Sequence, residues 1–161
     1  MTGPDESRLP LEPRSAARLS AVQALYQMDL AQTDLNDVIR EFMATRFGPK
    51  AEDPALADAD RAFFSDLLRG VVRRQREIDP IVDQQLAQGW RLTRIDAILR
   101  AVLRAGVFEL LERTDVPARV VINEYIKVAH AFLSDDEPKV VNGVLDKLAR
   151  RLRENELPPG R

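Results

Sequence analysis

The apolar residues of this 161-residue chain recur every three to four positions over most of its length, which is the period of an α-helix. No stretch keeps the strict apolar and polar alternation of a half-buried strand. Residues 1–14 contain three prolines and few apolar side chains, and residues 154–161 are similarly poor in apolar side chains. The pattern therefore predicts one all-helical domain over residues 15–153, between a flexible N-terminal arm and a flexible C-terminal tail.

The first half of the chain is expected to form four helices. Ser15 is the predicted cap of the first helix, whose apolar stripe comprises Leu19, Val22, Leu25, Tyr26 and Leu30. A second helix should follow Asp34 and end at "FGPK". A third should begin at Asp60 and be interrupted by Pro80, so that "PIVDQQLA" forms a separate short helix.

The second half is expected to form three more helices, giving a bundle of about seven. Apolar residues dominate the segment from Thr93 to Leu111, which is predicted to be the central helix of the core. Asp115 and Pro117 stand where the next helix should begin, and the acidic sequence "SDDEP" should end it.

The sequence "VVNGVLDKLARR" places Asn142 and Gly143 between apolar residues, a pairing that often forms a hairpin turn. The helical spacing of the apolar residues continues through the pair, so a helix is predicted here. Glycine inside a helix costs about 1 kcal/mol relative to alanine, and we expect a neighbouring helix backbone to approach Gly143 closely, with Asn142 bonding across the contact. The alternative, that the pair is merely tolerated near a helix start, stays open.

Composition narrows the function classes. The chain has no cysteine, which excludes disulfides and thiolate metal sites. No apolar run approaches the length of a membrane span, and the opening residues lack the apolar segment of a secretory signal, so a cytoplasmic protein is expected. The net charge of −2 argues against a surface that attracts nucleic acid everywhere, although a local cationic patch remains compatible with it.

The sequence contains few candidate catalytic residues. The single histidine, His130, falls on the polar side of its predicted helix, and the acidic run at residues 135–137 is typical of a solvated loop. No glycine-rich phosphate loop is present. We therefore predict no enzyme activity, no cofactor and no metal. What remains is surface charge, in three clusters: Arg14 and Arg18; Arg69, Arg73, Arg74 and Arg76; and Lys139, Lys147, Arg150, Arg151 and Arg153.

Five sequence segments, in order and at their separations, closely resemble the NusB family of transcription antitermination factors: "AVQALYQMDL", "FFSDLLRGV", "ILRAVLRAGVFELL", "VPARVVINEYIKVAHAF" and "KVVNGVLDKLAR". The resemblance extends from about Arg14 to Arg153. It implies an all-α fold of two packed helical subdomains. It also implies binding of boxA-type single-stranded RNA together with ribosomal protein NusE, in a complex with other Nus factors and RNA polymerase that reads through terminators in ribosomal RNA operons.

The resemblance also implies positions for the RNA-binding residues. The arginine-rich start of the family falls on Arg14 and Arg18, a family tyrosine on Tyr26, and the RNA-contacting turn before the last helix on Asp136, Lys139 and Val140. On periodicity alone, Tyr26 belongs to the apolar stripe, where core packing is the simpler role.

Two departures from the family pattern bear on RNA affinity. Ser15 and Ala16 stand where basic residues are frequent, and Val140 stands where phenylalanine is common and could stack on a base. Both changes are expected to weaken RNA binding by the isolated protein and to increase its dependence on NusE.

Two alternatives stay open at this point. NusB-like helical domains also occur at the front of RNA cytosine methyltransferases, although such enzymes need a further cofactor-binding domain. A purely protein-binding helical module, with its basic residues as solvated surface, would show the same periodicity. The sequence does not decide between a monomer and a homodimer, and it does not identify the residues that contact NusE.

Overall fold

The computed structural model describes residues 10–86, 91–93, 95–134 and 136–157. These residues form six α-helices, one 3-10 turn at Pro54–Leu56 and no strand, which confirms the all-α prediction with one helix fewer than expected. Two compact units divide the chain, Met1–Arg69 and Gly70–Arg161. The helices are α1 (Pro13–Ala31), α2 (Leu35–Thr45), α3 (Arg61–Gln85), α4 (Ala97–Glu112), α5 (Ala118–Phe132) and α6 (Glu137–Leu152).

The first helix begins earlier than the sequence suggested. Glu12 is its N-cap: the Ser15 backbone N–H donates to Glu12 Oε2 at 3.1 Å, and Pro13 occupies the first helical position, where its missing N–H costs nothing. The prediction of Ser15 as the cap is therefore wrong. The predicted arm over residues 1–14 overlaps α1 at its end, and residues 1–9 lie outside the described part of the chain.

An aromatic cluster forms the centre of the first unit. The rings of Phe42 and Phe64 stack at 5.4 Å between centroids, and Phe47 packs edge-on against both, at 6.5 and 5.0 Å. Small side chains of α1 complete this core, because alanines allow close approach: Ala16, Ala17, Ala21 and Ala24. Leu30 is 62% exposed and does not belong to the buried stripe predicted for it. Asp34 caps α2, as predicted.

The third helix continues through Pro80 to Gln85, so the predicted break is wrong. Proline cannot donate the hydrogen bond that the Arg76 carbonyl would otherwise receive. Both residues are exposed, which lets water satisfy that carbonyl, while Ile78 and Val82 on the opposite side are fully buried and hold the helix in place. The predicted start is confirmed, since the Phe63 N–H donates to Asp60 Oδ1 at 3.0 Å.

In the second unit, α4, α5 and α6 pack against one another. Ten of the sixteen residues of α4 are buried, which confirms its prediction as the central helix. It begins at Ala97 rather than Thr93, because the Asp96 carboxylate caps it by accepting the Ile98 N–H at 2.8 Å.

Close packing against glycine occurs at two positions that the sequence analysis did not select. A Cβ at Gly70 would overlap the buried Phe108 ring, and one at Gly106 would lie only 2.9 Å from Leu145 Cδ1. The predicted site, Gly143, is exposed, and a Cβ there would meet no atom of the other described residues within 4 Å. The helix through Asn142 and Gly143 is thus confirmed, whereas the predicted close approach is wrong, and Asn142 is exposed.

The predicted flexible tail begins with residues that are held in place. Leu157 is 1% exposed, and the Glu156 carboxylate accepts the Ala118 N–H at the start of α5, at 2.9 Å. The described residues 154–157 therefore pack onto the second unit, contrary to the prediction. Residues 158–161 lie outside the described part of the chain.

Candidate nucleic-acid interface

Two arginines of α1 lie against one phenylalanine ring in the first unit. Arg14 and Arg18 are one helical turn apart, and their Cζ atoms lie 4.6 and 4.9 Å from the centroid of the Phe63 ring. Guanidinium groups at this distance are attracted by the ring face. The Arg14 side chain is 39% exposed, with its Nε 3.9 Å from Asp60 Oδ2, so it presents charge to solvent from a position fixed by two neighbours.

Arg18 differs from Arg14 in its exposure. Only 2% of Arg18 is accessible, which makes it the largest fully buried side chain among the described residues. Burial of a guanidinium requires compensation by nearby groups, and the Phe63 ring supplies part of it. The structure thus places Arg18 beneath the surface on which the sequence analysis expected it, where it supports Phe63 and therefore Arg14.

Tyr26 lies twelve residues after Arg14 on the same helix, about 18 Å along its axis. The residue is half-buried, between the fully buried Val22 and the exposed Leu30. Such a position lets one edge of the ring pack inward while another meets solvent. Both roles considered from the sequence, packing and base stacking, are compatible with this placement.

The other three residues of the expected site stand at the start of α6, in the second unit. Asp136 occupies the N-cap position without a side-chain capping bond, and its carbonyl accepts the Val140 N–H at 3.3 Å. Asp136 and Lys139 are exposed, and Val140 is half-buried. Among the described residues, no partner forms an ion pair with Lys139. This short turn therefore offers a cation, an acid and an aliphatic side chain together.

Two arginines of the cluster on α3, Arg73 and Arg74, form ion pairs within the protein. Arg73 Nη2 contacts the two Glu112 carboxylate oxygens at 2.8 and 2.6 Å. The hydrogen bond from Arg74 lowers the pKa of Glu77, and the same contact raises the pKa of Arg74. Arg69 donates to Ser65 Oγ at 3.2 Å. These pairs make the cluster a weaker candidate for phosphate binding than its sequence suggested.

Arg153 has a structural role that the sequence analysis missed. Although it was grouped with the basic margin of the last helix, it is only 6% exposed. Its guanidinium donates to four backbone carbonyls at the end of α4 and the turn that follows, at 2.8 to 3.0 Å: those of Glu109, Leu110, Arg113 and Val116. It also pairs with Glu156 at 2.6 Å. The Glu109 and Arg113 carbonyls also accept backbone N–H groups, those of Arg113 and Val116. Arg153 therefore supplies the hydrogen bonds that the Leu110 and Val116 carbonyls do not receive from the backbone.

A cavity of about 420 Å³ in the second unit is also surrounded by charged groups. Arg104 forms two parallel hydrogen bonds with the Asp79 carboxylate, at 2.8 and 2.9 Å. Asp83 Oδ1 accepts the Leu92 N–H at 3.1 Å. Arg104 and Asp79 therefore neutralise each other within the protein, and we add no residue of this cavity to the candidate interface.

The described residues lack the arrangements that a metal site or a membrane span would require. They include no cluster of three or more histidine or acidic side chains arranged to hold a metal ion. His130 is exposed, as its position in the sequence predicted. No helix within this part of the chain is both long and apolar enough to cross a membrane.

Comparison with known proteins identifies relatives that match nearly the whole chain. A model of the NusB family matches residues 15–150. The transcription antitermination protein NusB of Rhodopseudomonas palustris (strain ATCC BAA-98 / CGA009) is 55% identical over 143 residues, which cover 89% of this chain and 82% of that protein.

Solved structures agree with this match. T. maritima NusB superimposes with a TM-score of 0.72 at 28% identity, covering 92% of this chain and 95% of that one. A chain from a crystal structure of antitermination factors NusB and NusE in complex with dsRNA gives a TM-score of 0.66 at 26% identity, covering 86% of this chain and 96% of that one. The chain therefore belongs to the NusB family of non-catalytic transcription antitermination factors.

Proposed function

We propose that this protein is an RNA-binding adaptor that acts in the cytoplasm, joins ribosomal protein NusE and binds boxA-type single-stranded RNA. With other Nus factors and RNA polymerase, it promotes read-through in ribosomal RNA operons. The observation that supports this proposal most is the fold that it shares with a chain from the structure of antitermination factors NusB and NusE in complex with dsRNA. Catalysis has no part in the mechanism, since the adaptor acts by holding RNA and protein together.

In this mechanism, the start of α6 supplies one group of RNA contacts. Lys139 neutralises a phosphate, because its exposed ammonium has no competing ion pair among the described residues. Asp136 accepts hydrogen bonds from base edges, and Val140 packs against a base. An aliphatic side chain gives less stacking energy than an aromatic one, so this turn alone binds weakly.

The α1 group contributes through Arg14 and Tyr26. Arg14 contacts phosphate from its place over Phe63, and the exposed edge of Tyr26 meets a base. Arg18 acts as a positioning residue, because its buried guanidinium fixes the ring against which Arg14 rests. The weak Val140 contact makes NusE important: a second protein on the same RNA raises the effective concentration of each binding surface.

The test measures fluorescence anisotropy of a labelled boxA-like RNA with the full chain, with and without NusE. We expect binding that is tighter with NusE and that weakens as salt increases, because phosphate contacts release counterions. Lys139→Glu should weaken binding without changing the melting temperature, since the side chain is exposed. Equal affinity for a scrambled RNA, or no binding at low salt, would contradict the proposal.

A purely protein-binding role is the second candidate, favoured by the number of arginines whose charge is matched inside the chain, such as Arg73, Arg104 and Arg113. Binding of NusE without any binding of RNA would establish that role instead. The methyltransferase alternative predicts that S-adenosylmethionine binds, and calorimetry with that cofactor tests it directly.

A further inference from the structure

A band of exposed residues winds along α6. Lys139, Gly143, Lys147 and Arg151 follow one another in steps of four, and all four are exposed. Each step advances about 6 Å along the helix and turns about 40° around it, so the α6 band covers about 18 Å. Within the described part of the chain, none of its three cations has a hydrogen bond or ion pair.

Acidic residues bound the α6 band without neutralising it. Asp136 and Glu137 precede it, and Glu154 follows it. The acid within its length, Asp146, is paired with Arg150, whose Nε lies 3.0 Å from Asp146 Oδ2. Within α6, the three cations of the band therefore have no acid that neutralises them, which favours an anionic ligand.

Gly143 adds an observation independent of charge. Glycine in the interior of a helix is destabilising, and such a glycine usually permits close approach of another group. At Gly70 and Gly106 that group belongs to the protein itself, namely the side chains of Phe108 and Leu145. At Gly143 no atom of the described residues beyond its own helical neighbours comes within 4 Å of a Cβ position, so this space is open to a group from outside the protein.

We propose that the α6 band binds the sugar–phosphate backbone of single-stranded RNA, with its closest approach at Gly143 and with Lys139, Lys147 and Arg151 neutralising phosphates. The inference rests on the proposed function and extends the RNA path from the turn at Asp136 along the whole of α6. RNA is favoured over an acidic protein because α6 has none of the exposed large apolar side chains that a protein interface would bury.

The decisive variant is Gly143→Ala, because it should change stability and binding in opposite directions. The added methyl group meets no atom of the protein and improves helix propensity, so the melting temperature should rise. The same methyl group holds RNA away from the helix, so affinity should fall on the order of tenfold. The probe is a boxA-like RNA with single-stranded extensions on both sides, bound to the full chain with NusE.

Charge variants test the rest of the band. Lys147→Ala and Arg151→Ala should each reduce the slope of log affinity against log salt by about 0.7, the value for one phosphate contact on a single strand. Lys127→Ala is the matched control: Lys127 is also an exposed lysine of the second unit, on α5, with no ion pair among the described residues. For Lys127→Ala, the slope of log affinity against log salt should equal that of the unmodified protein.

The outcomes separate this inference from the proposed function. If the unmodified protein binds no RNA, both fail. If it binds RNA but Gly143→Ala, Lys147→Ala and Arg151→Ala bind with unchanged affinity and salt slope, the inference alone is overturned. Loss of NusE binding by these variants, with RNA binding intact, would make the α6 band a protein surface and would equally overturn it.

Discussion

The Tyr125 hydroxyl donates a hydrogen bond to Glu109 Oε2 at 2.5 Å in the interior of the second unit, where neither residue has measurable exposure. The bond links α5 to α4, beside the close contact that Gly106 makes with Leu145. A carboxyl group in such a place depends on its hydrogen bonds, because water cannot replace them.

Replacing Tyr125 with phenylalanine should lower the free energy of unfolding by about 1–3 kcal/mol, since Glu109 loses a buried donor. Urea denaturation measures this change. Tyr26→Phe is the matched control, because Tyr26 is half-buried and its hydroxyl has no hydrogen bond to the described residues. Similar small losses in both variants would show that the Tyr125 bond contributes little.

Arg153→Met should destabilise the protein by about 3 kcal/mol, because the buried carbonyls of Leu110 and Val116 lose their donor together. Methionine retains much of the buried length of the side chain, which isolates the polar effect. Arg151→Met, two residues earlier and exposed, should leave stability nearly unchanged. Thermal and urea unfolding of both variants provide the comparison. Equal stabilities would show that the hydrogen bonds of Arg153 contribute little to stability.

Glu156 makes the stability of the protein depend on pH in the acid range. The Ala118 N–H, and then the ion pair with Arg153, lower the pKa of Glu156 below its ordinary value of 4.5. A carboxyl with a lowered pKa in the folded state contributes stability above pH 4.5, and this contribution is lost as pH falls through the folded pKa. The stability difference between the unmodified protein and Glu156→Gln should therefore shrink as pH falls below that value. A difference independent of pH from neutral to acid would exclude this linkage.

Gly70→Ala and Gly143→Ala should have opposite effects on stability. At Gly70 the new methyl group would overlap the buried Phe108 ring, which costs about 1–3 kcal/mol in a packed core. At Gly143 the methyl group meets open space, so alanine should stabilise the helix by about 1 kcal/mol. Differential scanning calorimetry of both variants distinguishes these effects, and a stabilising Gly70→Ala would mean that the ring moves readily.

Apolar spacing was sufficient to predict the helical class, the start of α2 at Asp34 and the continuous helix through Asn142 and Gly143. It failed where a tertiary partner decides the outcome. Nothing near Pro80 in the sequence shows that Ile78 and Val82 are buried deeply enough to hold the helix together. Likewise, the arrangement of the helices decides which glycine faces a neighbouring helix. The spacing of apolar residues alone could not show that Gly106 is closely packed and that Gly143 is not.

Charged residues were the least predictable part of the candidate interface. Arg14, Arg18 and Arg153 look equivalent in the sequence, yet the structure gives them three different surroundings: a half-exposed place over a ring, a buried place beside the same ring, and a set of backbone carbonyls. A long side chain can bury its head wherever a partner lies, and that partner is usually distant in sequence. The RNA-binding role of Lys139 remains a prediction that only an RNA-binding measurement can test.

The contacts of Arg153 also bear on how this protein is made. Its guanidinium bonds to the Leu110 carbonyl 43 residues earlier in the chain. During synthesis, the end of α4 emerges from the ribosome well before the side chain that completes its hydrogen bonds. Until Arg153 emerges, the Leu110 carbonyl depends on water, so we expect a nascent chain stalled before this residue to hold its second unit in a looser, protease-sensitive state.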